Sequence, residues 1–578
     1  MKKIIATLLC AVMLFTGCGF AAFANAAADD VQPAPSITIT PEMIQQGAED
    51  LHLGDLIRPL KAIRFTSMDV FGQSMMKVLY GIADFLIDNI VGLLNYITPS
   101  KFPAAETYKT ENFYKGTDTF LTSPAAGAKW SLGYSSASIQ TGNELDGKHY
   151  VGGSLSLDKS ATSITDDQRV RIVCLNDGSG RGSVVFAAID AFGISLRDVR
   201  IIRERLNDFA KQNNIISINI TVLHQHSCVD TLGLNGNLLE MIAKNPAANI
   251  LNKYLGTDIP LVNGQNPEFM ENLFNVTTAA IRDAYNNMET GKLYYSSIYA
   301  SDYIYDKREP MVKDDYIHRF RFVPDDASSR ETWLCNAAIH CVGNGAAGTD
   351  ITADYPYYME QTINEQADAN FMYYQGAELA ITAENDVLDE EYREMDRYYR
   401  LRYYGKALGE LVINSDAPEK EVAPLLNIRF EEYRVPITNE ILIFAAKMGL
   451  LTNIAIAKDS HQTSIDVVTE IGYMELGEDI AVAIVPGELE PSIAFGGALD
   501  NTNSYRAEDW NYPSMQEIVG NDRELIVFGL TNDQIGYILT DNDYCSILSG
   551  VNEEIVATGD KAGSSTIEAF EKLMDSIK

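Results

Sequence analysis

Ser183-Val-Val-Phe-Ala-Ala-Ile189, Ser195-Leu-Arg-Asp198 and Ile215-Ile-Ser-Ile-Asn-Ile-Thr-Val-Leu223, closed by His224-Gln225-His226, form the segment from which the architecture follows. The first run is apolar without interruption, as in a strand buried on both faces. Ser195 with an acid three residues on is a helix start, and Leu196, Val199, Ile202, Leu206 and Phe209 then recur on one helical face. A second apolar strand follows, which makes the segment a βαβ unit. Units of this kind repeat from about Trp130 onward and predict an α/β domain with a largely parallel or mixed central sheet and helices packed over it. Ligands of open α/β sheets bind beyond the carboxyl ends of the strands, where the histidine pair stands.

Three more apolar runs end on residues able to hold a metal or move a proton. Leu334 to Ile339 runs into His340, Ile480 to Val485 into Pro486-Gly487-Glu488, and Leu525 to Phe528 into Gly529 and on to Gly536-Tyr537. The chain has only 7 histidines, which makes their placement at two strand ends informative. Two neutral imidazoles and a carboxylate suit Zn²⁺ and leave a position for water, whose pKa falls to about 7 when bound. His224 and His226, two apart on a strand, are expected to face one side, one as ligand and the other as a hydrogen-bonding acid or orienter. From spacing alone the alternative of ordinary strand-end and core histidines stays open.

Composition narrows the function classes. The 578 residues are 46% hydrophobic and 10% aromatic, enough for a large core. With 45 Lys+Arg against 80 Asp+Glu the net charge is −35, which repels phosphate backbones and excludes nucleic acid as a partner. Cys174, Cys228, Cys335, Cys341 and Cys545 show no Cys-x-x-Cys spacing, so neither a disulfide scaffold nor a thiolate zinc site is expected.

At the amino terminus, Lys2-Lys3, an apolar stretch from Ile4 to Phe23 and Ala24-Asn25-Ala26 predict a signal peptide over 1–26 and an exported protein. Thr16-Gly17-Cys18 offers the other ending, a lipoprotein signal lipidated at Cys18. Residues 27–129 read as a linker, with a short helix start at Thr40-Pro41-Glu42, and an amphipathic helical segment. From Gln73 to Ile97 the polar residues Gln73, Lys77, Asp84, Asp88 and Asn95 share one narrow sector of a helical wheel, and the remainder is mainly apolar. The charges at its centre argue against a spanning helix. The segment is expected either to pack on the following domain, 130–578, or to lie in a membrane interface. Glu391 to Leu411, with five tyrosines among arginines, reads as a solvated helix with packed tyrosines.

The motifs and their order give the chain a family likeness. "GYSSASI", "GKHYVGG", "DDQRVRIVCLNDG" and "VVFAAID", then "ITVLHQHS", "AAIHCVGN" with "TADYPYY", "MYYQGAELAIT", "VTEIGYMELGEDIAVAIVPGE" and "GLTNDQIGYILT", resemble the catalytic domain of the neutral/alkaline non-lysosomal ceramidases. The resemblance runs from about Trp130 to the carboxyl terminus. It implies a zinc ion held by His224, His340, Glu488 and Tyr537, with His226 beside it, and hydrolysis of the amide bond of an N-acyl sphingoid lipid. In that role His226 and Tyr537 would stabilise or protonate the tetrahedral species. Equal spacing from Gln375-Gly376 puts Thr382 where the family has a serine, and Ala383-Glu384 follow in place of Pro-Asn. The family's Tyr-Glu-Ala motif is replaced by Ser549-Gly550-Val551, and Cys228-Val229-Asp230 replaces glycine and proline after the His-Ser. The chain runs about forty residues past Tyr537, so no appended β-sandwich is expected. The expected substrate is ceramide or a related N-acyl lipid, with peripheral membrane contact through residues 73–97. The rivals are an amidase of the same fold acting on another small N-acyl amine, a degraded surface binding protein, and thiol catalysis through Cys228.

Overall fold

The computed structural model describes residues 85, 87–153, 159–342, 348–384, 397–545 and 556–577. The predicted leader with Cys18, the linker, residues 73–84 and 86 of the amphipathic segment, and the 549–551 replacement lie outside the described residues.

Nine strands build a first sheet: β1 Trp130–Ser138, β2 Arg169–Asn176, β3 Ser183–Ile189, β4 Ile215–Val222, β5 Glu289–Tyr299, β6 Tyr316–Pro324, β7 Thr332–Ala337, β8 Asn370–Gln375 and β9 Lys420–Val422. Their order is β8-β7-β6-β5-β1-β2-β3-β4, with β9 on β5. A second sheet follows in the chain: β10 Leu426–Pro436, β11 Ala455–Ala457, β12 Ile465–Leu476, β13 Ile480–Ile484 and β14 Glu524–Phe528. Its order is β10-β12-β13-β14, with β11 on β12. The fold is thus mixed α/β, the second of the two alternatives read from the sequence. Within the two sheets only Ser183–Ile189 with Ile215–Val222, Thr332–Ala337 with Asn370–Gln375, and Ile480–Ile484 with Glu524–Phe528 run parallel; the other pairs are antiparallel. Those three parallel pairs are the ones whose carboxyl ends carry the sequence-predicted site residues.

The period of two along each strand explains the layers. In β3, Val184, Phe186 and Ala188 enter the core between the sheets, while Val185, Ala187 and Ile189 enter the core on the outer side. Val482 and Ile484 divide from Ala481 and Ala483 in β13 in the same way. Runs that read as uniformly apolar are therefore buried on both faces. Phe186, Tyr374 and Phe528 meet between the sheets, with Tyr374 and Phe528 stacked at 4.2 Å and Phe186 edge-on to both. Such ring pairs contribute about 0.5–1.5 kcal/mol beyond their buried area.

Helices α1 Leu196–Gln212 and α2 Pro267–Asn286 cover the outer face of the first sheet. α3 Asp354–Ala367 and α4 Arg397–Ile413 pack together beside β8, and α5 Ala562–Ile577 covers the second sheet. α1 starts where the sequence predicts: the Ser195 side chain accepts from the Asp198 N–H, and Leu196, Val199, Ile202 and Leu206 are buried. Buried Arg203 on α1 donates to both carboxylate oxygens of Glu470 on β12, each at 2.9 Å, and ties the two sheets together. Removing one partner of such a pair costs about 3–5 kcal/mol. In the Tyr-rich helix, Tyr404 is buried and donates to the Tyr303 carbonyl at 2.6 Å.

The described part of the amphipathic segment, residues 87–97, is helical and corrects one expectation. Asn95, assigned to the polar stripe, is fully buried, because its amide donates to the backbone oxygen and carboxylate of Glu440. Lys447 closes the helix by donating to the Asn95 and Thr98 carbonyls. Ile87, Val91 and Leu94 face the body of the protein, while Phe85, Leu93 and Ile97 are exposed. No described helix is long and apolar enough to cross a membrane.

Candidate metal centre

The carboxyl ends of the parallel pairs are tied to one another by hydrogen bonds that leave little freedom. Gly529 N–H donates to the Gln375 carbonyl at 2.9 Å, Asn532 exchanges bonds with Ile220, and Asn336 donates to the Val527 carbonyl at 2.9 Å. Gln375, with no exposed surface, joins both histidine-bearing ends. Its amide donates to the Leu223 and Ile339 carbonyls at 3.0 and 2.7 Å and accepts from Ile339 N–H at 3.2 Å. Leu223 precedes His224, and Ile339 precedes His340.

His224, His226 and His340 converge, with ring centroids 4.6, 4.8 and 5.4 Å apart. The pair does not reach the site by strand alternation as expected, because β4 stops at Val222 and His224 takes a left-handed backbone with φ of +61°. That conformation costs a non-glycine residue about 1–3 kcal/mol and persists only where its surroundings impose it. Nδ1 of His224 donates to the Phe192 carbonyl at 2.8 Å, and the Phe192 ring stacks on the imidazole. Nδ1 of His226 is held by the Gly153 carbonyl. Gly153 has to be glycine: its φ is +89°, and a Cβ there would stand 2.2 Å from the His226 Cα.

With their Nδ1 atoms engaged, His224 and His340 each place Nε2 3.3 Å from Oε2 of Glu488, which is almost fully buried. Burial would raise the Glu488 carboxyl, but the two imidazoles hold it far below the usual carboxylate range. Burial would lower His340, yet the carboxylates of Glu378 and Glu488 prevail and push it up to about 10. His226 is pushed well below its ordinary value by burial and by the other two imidazoles. Oε1 of Glu488 accepts from Gln534, whereas Oε2 of Glu488 and Nε2 of His226 meet no hydrogen-bond partner among the described residues. Buried polar atoms left this way are rare in folded proteins. Here they belong to donors of the kind that bind a divalent transition metal. His224, His226 and His340, and again His224, His340, Glu378 and Glu488, offer ligand atoms within 4.8 Å of one another.

Neither a family model nor a curated protein matches the chain. Among solved structures, the neutral ceramidase from Pseudomonas aeruginosa is similar over 77% of this chain and 74% of its own, with a TM-score of 0.54 and 15% identity. The fold is neutral ceramidase-like. A ceramidase complexed with C2 is similar over 78% of this chain and 75% of its own, with a TM-score of 0.52 and 14% identity.

On this neutral ceramidase-like fold the remaining sequence-predicted residues lie beside the cluster. Tyr537 pairs in parallel register with Glu488 and is half-buried. Thr382 stands opposite His340 in a parallel bridge, and His340 N–H donates to the neighbouring Ile381 carbonyl at 3.0 Å. The thiol-catalysis rival finds no support at Cys228, which is fully buried and donates to the Thr352 carbonyl, and whose thiol burial drives well above the ordinary range. Sequence reasoning missed Glu378, whose carboxylate lies against Nδ1 of His340, and Gln534. Both sit inside quoted motifs, "MYYQGAELAIT" and "GLTNDQIGYILT", but a lone Glu or Gln there has no spacing that marks it.

Proposed function

We propose that the chain is an exported zinc-dependent amidase that hydrolyses the amide bond of ceramide or a related N-acyl lipid, releasing fatty acid and amine. The observation that carries this reading is the meeting of the buried His224 and His340 imidazoles with Oε2 of Glu488, with His226 beside them, at the joined ends of the two sheets. His224, His340, Glu488 and Tyr537 would hold the ion. When bound, zinc supplies Lewis acidity and acidifies water at neutral pH.

The chain's own groups supply the rest. His226, kept neutral and with Nε2 directed among the other two rings, can take a proton from attacking water and return it to the departing nitrogen. The phenol of Tyr537, in register with Glu488, donates to the oxyanion that develops on the amide carbonyl. The Thr382 hydroxyl, opposite His340, orients substrate or water. Gln534 fixes one Glu488 oxygen and leaves the other for the ion. Exposed Leu93 and Ile97 on the 87–97 helix, with exposed Phe85 just before it, give an outer apolar face suited to a lipid surface.

A second reading, an amidase for a smaller N-acyl amine, is favoured by Thr382-Ala383-Glu384, which departs from the family pattern beside the site. Assaying the metal-loaded protein against a panel of N-acyl sphingoid lipids and short N-acyl amines, with fatty acid and amine both quantified, separates the two. Turnover of the long-chain lipids supports the first reading. Turnover of short amines alone replaces it with the second.

A further inference from the structure

Glu378 has no counterpart in the expected ligand set. It opens the turn after β8, where Gly376 N–H donates to the Ala337 carbonyl and Ile381 N–H closes back on the Glu378 carbonyl. This turn carries the side chain inward with no exposed surface. Its carboxylate lies against Nδ1 of His340, and its own carbonyl stands 3.1 Å from the same atom. Among the described residues His340 is the one partner of the Glu378 carboxylate, which meets no other hydrogen-bond donor or cation there. Glu378 therefore sits as a buried carboxylate without Lys or Arg, a placement that is costly unless a cation is near.

Charge arithmetic fits the proposed ion, which would take the place of a proton on Nε2 of His340. Three neutral imidazoles with Glu488 alone would leave a divalent ion carrying net +1 in a buried site. A second carboxylate makes the site neutral. The geometry also fixes a tautomer, because a proton on Nδ1 directed at Glu378 leaves Nε2 of His340 free to bind the ion beside Glu488.

Building on the proposed metal centre, we infer that Glu378 is a positioning residue that orients His340 and balances the charge of the bound metal without ligating it. The test uses the full-length protein without substrate: metal affinity by chelator competition, and the visible absorption of the cobalt-substituted form. E378Q keeps a hydrogen-bond acceptor but loses the charge, and should weaken affinity about 10-fold; E378L loses both and should weaken it about 100-fold. The cobalt ligand-field bands should keep their positions and intensity in E378Q, since the direct ligands are unchanged. Should E378L fail to fold, E378Q decides alone. Wild-type affinity in E378Q would overturn the inference. So would cobalt bands shifted to a new coordination number, because Glu378 would then be a ligand. A wild-type protein that binds no metal would instead sink the proposed function on which the inference rests.

Discussion

Gln375→Met tests how the site is held. The substitution keeps length and approximate volume but removes every hydrogen bond of the amide. Two buried backbone groups then lose the partner they have in this structure: the Leu223 carbonyl and the Ile339 N–H. The Ile339 carbonyl keeps its bond from the Tyr355 hydroxyl at 2.7 Å. At roughly 1–3 kcal/mol for each buried group left unpaired, the loss comes to about 2–6 kcal/mol. That is a large fraction of a typical 5–15 kcal/mol stability. Since the Leu223 carbonyl belongs to the peptide entering His224, the left-handed backbone there loses a support as well. Urea unfolding of the chelator-treated protein should show the stability loss, and zinc added back should bind more weakly than to wild type. A Met variant within about 1 kcal/mol of wild type, with unchanged zinc affinity, would refute the clamp.

Three further outcomes follow from particular contacts. His318 on β6 lies between Asp314 at 2.8 Å and Glu524, on the second sheet, at 3.8 Å; burial lowers its pKa, but these carboxylates raise it above the ordinary value. The stability it contributes is therefore complete below the unfolded value of about 6.5 and is lost as pH rises through the higher folded value, so wild type should lose more stability than His318→Gln as pH is raised above about 6.5 in urea titrations. Thr382→Val should lower kcat by roughly 10²-fold and Thr382→Ser should retain activity; equal kinetics in all three proteins would reduce Thr382 to a wall residue. Replacing Phe85, Leu93 and Ile97 with Ser should reduce liposome binding without changing the thermal midpoint, because all three are exposed, and undiminished binding would remove the helix from any lipid role.

The sequence is legible where structure is local. The βαβ unit from Ser183 to Leu223 could be read because apolar runs and a 3.6-residue period need no distant partner. The antiparallel partners of β1 could not, since its pairing with β2 and β5 joins residues far apart in the chain. At the site, strand ends pointed to His224, His340 and Glu488, which the fold brings together, but the reason His224 and His226 converge was hidden, because it lies in one left-handed residue and a glycine at 153. Glu378 was invisible for another reason: only a turn closed by hydrogen bonds turns an unremarkable glutamate inward. Asn95 shows the limit of helical wheels, which locate a polar stripe but not the Glu440 that buries it.

Elemental analysis of freshly purified protein, alongside His340→Ala and Glu488→Ala, tests the central claim most directly. The account predicts about one zinc per wild-type chain, and loss of it in both variants while the fold is kept. Wild-type protein without a transition metal, or full zinc occupancy surviving both substitutions, would contradict it.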